Sequence, residues 1–85
     1  VIIRSKDKKT SIIIGEVAGF EVMRDRIYPP GQETPVAGFT LAAVMARYDS
    51  RIPMGGYESE DEAVAMLRSI EAWIEQGGRG IFEVA

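Results

Sequence analysis

The chain predicts an α+β fold: a largely antiparallel, twisted sheet of about five or six short strands with one amphipathic helix, residues 59–76, on one face and a short final strand. Three observations carry this expectation. A capped, one-sided helical stretch lies near the carboxyl end, β-branched and alternating runs fill the first 57 residues, and glycine- or proline-rich turns separate them.

The helix is marked at both ends. Ser59 and Glu62 stand in the S-x-x-E spacing of a capping box, and Glu60, Asp61 and Glu62 fill the first turn, where the positive end of the helix dipole favours carboxylates. Gly77 and Gly78 supply residues suited to a left-handed stop. At about 100° per residue, Ala63, Met66, Leu67, Ile70, Trp73 and Ile74 share one stripe, while Asp61, Arg68, Glu75 and Gln76 lie opposite.

Taken in order, residues 1–4 and 10–14 are β-branched runs separated by Ser5, Lys6, Asp7, Lys8 and Lys9, the pattern of a hairpin with a charged turn. Ala18, Phe20 and Val22 then alternate with Val17, Gly19 and Glu21 in a strand running toward Ile27, and Gly19 inside it predicts a bulge or close backbone contact. Residues 28–35, with two adjacent prolines and a glycine, form a loop at a long hairpin tip. Residues 38–48 fit a strand with Phe39, Leu41, Ala43 and Met45 on one face; a helix would instead group Leu41, Val44, Met45 and Tyr48, and its three alanines favour that alternative. Strand is the reading adopted. Residues 51–57 follow as a short strand that Pro53, Gly55 and Gly56 confine to an edge or bulge, and residues 80–84 close the chain. The expected core is Ile13, Phe20, Val22, Phe39, Leu41, Met45, Tyr57, Ala63, Met66, Leu67, Ile70, Ile74 and Phe82.

With 85 residues the chain is a single domain with a thin core, and no apolar run approaches the roughly 20 residues of a membrane span. There are no cysteines and no histidines. Disulfides, thiolate or imidazole metal sites and every Ser-His or Cys-His nucleophile are thereby excluded, so the expectation is a cytoplasmic protein, not an enzyme, with no cofactor and no metal. The net charge of −3 hides an asymmetry, since residues 1–57 carry eight basic and six acidic side chains and residues 58–85 carry two and seven.

Each chemical pattern has a plainer explanation. Glu60, Asp61 and Glu62 splay around the helix and lack the D-x-D-x-D-G spacing of a calcium loop, so capping accounts for them. Gly77, Gly78, Arg79 and Gly80 follow a helix rather than precede one, which suits a C-cap, with Arg79 answering the last carbonyls and Glu75, and not a phosphate cradle. Arg4, Lys6, Lys8, Lys9, Arg24, Arg26, Arg47 and Arg51, with Tyr28 and Tyr48, suggest a nucleic-acid strip, but interleaved Asp7, Asp25 and Asp49 favour solubilising charge.

Residues 52–63, with Met66, Leu67 and Ile70 after them, resemble a pattern in small prophage-type domains of Gram-positive bacteria: a short strand ending in an aromatic residue, a capped Glu-rich helix two residues later and a final strand. The resemblance covers mainly residues 52–85. It implies strand for residues 39–48 and brings no catalytic motif. Two functions follow as expectations, a non-catalytic protein-interaction or accessory module and, as the alternative, a small nucleic-acid-binding module. Because one helix shields one face of a sheet whose strands are apolar on both, a homodimer through the helix-free face or a strand edge is also expected.

Overall fold

The computed structural model describes residues 1–85. In chain order it holds β1 (Ile2–Arg4), β2 (Ser11–Ile13), a 3-10 turn (Ile14–Glu16), β3 (Val17–Ile27), β4 (Val36–Met45), β5 (Arg51–Tyr57), α1 (Glu60–Glu75) and β6 (Ile81–Glu83). The α+β class and the one-helix architecture match the sequence reading. The strands divide between two three-stranded sheets, β2-β1-β6 and β3-β4-β5, where one was expected. All neighbours are antiparallel except β1 and β6, which run parallel.

The division has a local cause. Pro53 has no N–H to offer a neighbour, and the register of β5 against β4 slips between Leu41 and Ala42. Backbone contact between the sheets at this edge is therefore reduced to the Lys6 N–H donating to the Met54 carbonyl at 2.7 Å. On the other side, the 3-10 turn redirects the chain between β2 and β3. The slip expected around Gly19 is present, between Val17 and Gly19 of β3 against β4.

α1 begins at the Ser59 cap, whose hydroxyl oxygen accepts the Glu62 N–H at 3.2 Å. The Glu62 carboxylate takes the Ser59 hydroxyl in return, also at 3.2 Å, instead of the Ser59 N–H of a standard box. At the other end Gly77 (φ 112) and Gly78 (φ 58) are left-handed, and their N–H groups donate to Ile74 and Trp73 carbonyls at 3.0 and 2.9 Å. This is a Schellman stop. It satisfies the last carbonyls with backbone donors, so the Arg79 side chain makes neither of the contacts expected of it; the Arg79 carbonyl instead accepts the Trp73 indole N–H at 3.1 Å.

α1 packs across β3, β4 and β5. Ile3, Ile12, Leu41, Ala43, Met54, Tyr57, Ala63, Ile70 and Val84 form the buried core, with Phe20, Val22, Phe39, Met45, Met66, Leu67 and Phe82 partly buried against it. Two expected core residues lie outside. Ile13 is 56% exposed because Ile12, one position earlier, pairs with Ile3 and faces inward, and a one-residue change of parity reverses the face. Ile74 is 40% exposed because Trp73 takes the inward place at the helix end, its ring 5.6 Å from that of Phe82.

The helix-free face of the larger sheet differs from the apolar surface expected. There β3 presents Glu21, Met23, Asp25 and Ile27 beside Ala42, Thr40, Gly38 and Val36 of β4. Glu21 on β3 pairs with Arg51 on β5, spanning the intervening strand, and Thr40 donates to Asp25 at 3.1 Å. Ala42 is fully buried among these groups. Ile27 crosses above Gly38 and Gly56, where no Cβ could stand without meeting it.

Candidate interaction site

Two surfaces stand out. The first is the outward face of the β2-β1-β6 sheet. Because Ile2 is paired with Ile13 on one side and Ile81 on the other, these three side chains lie in one row across the three strands. Ile13 and Ile81 are 56% and 50% exposed, while the alternating Ile3 and Ile12 enter the core. The next row is polar, with Ser11, Arg4 and Glu83 in register and Arg4 bonded to Glu83 at 2.7 Å. An apolar bar thus lies beside an ion pair on an open sheet face. The run Ile12, Ile13, Ile14 contained the signal, since alternation must send at least one of consecutive strand isoleucines outward.

The second is an open cleft of about 790 Å³. Tyr28, Pro29 and Pro30 line one part, the β5 edge from Pro53 to Tyr57 another, and the β1–β2 turn at Lys6 and Asp7 a third. Lys6 organises that junction. Its Nζ donates to the Gly56 carbonyl at 2.9 Å and lies 4.3 Å from the centre of the Tyr57 ring. The Tyr57 hydroxyl donates to the Ala85 carbonyl at 2.8 Å. Burial, followed by the negative charge of Glu62, pushes the Tyr57 phenol up to about 12, so it is a hydrogen-bond donor at neutral pH. Asp7 accepts the Ser5 hydroxyl at 2.6 Å and the Lys9 N–H at 2.9 Å, and these bonds hold its carboxyl below the usual range. The turn is thereby fixed.

Three residues of the expected basic strip are engaged within the fold. Arg4 is paired with Glu83, Arg51 with Glu21, and Lys6 with Gly56 and Tyr57. Arg51 is held further in its charged form by the Glu21 hydrogen bond and charge. Tyr28 and Tyr48 are 65% and 81% exposed but lie beyond opposite ends of β4, whose ten residues span roughly 30 Å at about 3.3 Å per residue. They cannot form one stacking platform. Of the acidic residues, no three converge as metal ligands, and Glu62 is occupied with the Ser59 cap.

No family model matches this chain, and no curated protein or solved structure matches it either.

Proposed function

We propose that this chain is a non-catalytic, cytoplasmic protein-interaction module that pairs with a second copy of itself. The row Ile13, Ile2, Ile81 is the observation that supports it most. Exposed β-branched side chains in register across a sheet lose water on contact with another apolar surface, and that gain scales with the area covered. The neighbouring Arg4 and Glu83 favour a second copy as occupant: opposite charges side by side become self-complementary under a two-fold rotation, which sets Arg4 near the partner copy's acidic group. The resemblance of residues 52–85 to small prophage-type domains supports an accessory role, and the absence of cysteine suits a reducing compartment.

The apolar row alone is smaller than the ~800 Å² per partner of a standard interface, so the pairing is weak and reversible. Sedimentation equilibrium from micromolar to millimolar concentration tests it. The expected result is a monomer–dimer equilibrium that Ile13→Lys and Ile81→Lys each shift to monomer; a single-chain mass throughout overturns the pairing. A nucleic-acid role draws less support because Arg4, Lys6 and Arg51 already have partners within the fold. Binding of single-stranded or duplex DNA that weakens steeply with salt would restore that reading.

A further inference from the structure

We infer that the outer edge of β3 is a docking site for an extended peptide, which adds as a strand and sets an acidic side chain against Arg24. β3 ends the order β3-β4-β5 and no strand lies along its outer side, whereas the β1–β2 turn closes the β5 edge through Lys6. The Ala46 N–H donates to the Glu16 carbonyl at 3.0 Å, so the even-numbered residues of β4 are those that exchange bonds with β3. Gly19, Glu21, Met23 and Asp25 stand opposite them, and the alternate residues Phe20, Val22, Arg24 and Arg26 turn N–H and C=O outward. The Arg26 N–H agrees with this direction, since the Asp25 carboxylate takes it at 2.8 Å. No other segment bonds to the backbones of Phe20, Val22 and Arg24. With the bulge between Val17 and Gly19 at one end and the Asp25 cap at the other, the open slot runs from Phe20 to Arg24.

The side chains along this slot define the occupant. On the helix face Val22 stands beside Leu41 and Phe20 beside Ala43; Leu41 and Ala43 are fully buried, while Val22 and Phe20 are only half-buried at the margin of the sheet. Apolar residues on an added strand would cover them. Arg24 follows on the same face, exposed, and its guanidinium pairs with no carboxylate of its own chain. Asp25 points to the other face, where it accepts the Thr40 hydroxyl. A second copy of β3 does not supply the missing charge, because Phe20, Val22, Arg24 and Arg26 on this face include no acid. A separate acidic strand does, with main-chain bonds giving affinity and alternate side chains specificity. In antiparallel register the sequence Glu-Thr-Val-Thr-Val sets its glutamate against Arg24 and its valines against Val22 and Phe20.

Fluorescence anisotropy with that peptide, capped and labelled, tests this at near-physiological salt. Saturable binding is expected. N-methylation of the central valine, whose N–H points at the Val22 carbonyl, lowers affinity by about tenfold or more, whereas N-methylation of the first threonine, whose N–H points away, changes it by less than about threefold. Arg24→Glu weakens binding by about fivefold or more, and a lysine in place of the peptide's glutamate restores it; Arg47→Glu, the same charge change beyond the end of β4, alters it by less than about twofold. Arg24 and Arg47 are exposed, and an unchanged circular-dichroism melt establishes that each variant folds. Absence of saturable binding, equal losses from the two N-methylations, equal losses in Arg24→Glu and Arg47→Glu, or displacement of the peptide by single-stranded DNA overturns the inference. Ile13→Lys separates this site from self-pairing: it removes the dimer and leaves peptide affinity unchanged. A dimer that persists in Ile13→Lys and dissociates when Arg24→Glu is added would assign the edge to a second copy and overturn the peptide.

Discussion

Lys6 Nζ lies 4.3 Å from the centre of the Tyr57 ring while donating to the carbonyl of Gly56, the residue before Tyr57. With the Lys6 N–H on the Met54 carbonyl, one residue of the β1–β2 turn occupies two outward acceptors of an edge strand. The contact also joins the smaller sheet to the larger. An unblocked edge is a template for pairing with another chain, and a lysine placed across it is a common safeguard. Lys6→Met keeps much of the aliphatic stem but removes the ammonium; we expect a loss of about 1 kcal/mol in urea unfolding, from one exposed hydrogen bond and one cation–π contact. An unchanged midpoint would mean that the ammonium contributes nothing.

Tyr57 predicts an alkaline transition. Its phenol is raised from the ordinary 10.0 to about 12 in the folded chain, so the neutral form is favoured by folding. That contribution is complete below pH 10 and is lost as pH rises from 10 to about 12. Tyr57→Phe removes the hydroxyl bond to Ala85, costing about 1 kcal/mol at pH 7, and flattens the part of the alkaline decline due to the phenol. The difference between the wild-type and Tyr57→Phe stability profiles is the measurement that isolates it.

Gly38 and Gly19 give a matched pair on one sheet. A Cβ at Gly38 would stand 2.7 Å from both the Tyr57 carbonyl oxygen and the Ile27 side chain, whereas one at Gly19 meets nothing within 4 Å. Ile27 can move; the β5 backbone cannot move without disturbing its ladder. Gly38→Ala should destabilise by about 1 to 3 kcal/mol and Gly19→Ala by much less, as read from denaturant midpoints. Equal effects would place the close approach elsewhere.

The stripe of α1 offers a graded test. Ile70 is fully buried and Leu67 only partly so. Ile70→Ala should cost about 2 to 5 kcal/mol, with Leu67→Ala below it, while Ile74→Ala at the exposed helix end costs least. The order of the three urea midpoints checks the packing more sharply than any one value.

Local signals were enough for much of this fold. Ser59 and Glu62, the two glycines after Gln76 and the apolar spacing between them mark α1 because a helix's start, stop and buried stripe depend on residues within a few turns. The alternation around Leu41 likewise marks β4, since tertiary burial of Leu41 and Ala43 overrides the helical preference of its alanines. Tertiary structure decided what local pattern leaves degenerate. Three consecutive isoleucines do not say which faces inward; pairing of Ile12 with Ile3 and of Ile13 with Ile2 settled it, and thereby made the exposed row. Nor does any nearby residue indicate that Lys6 meets Gly56, fifty positions away, or that the parallel pairing of β6 with β1 gathers six strands into two sheets. Those contacts join segments far apart in sequence, so their energies depend on the closed chain and leave no periodicity in either segment alone.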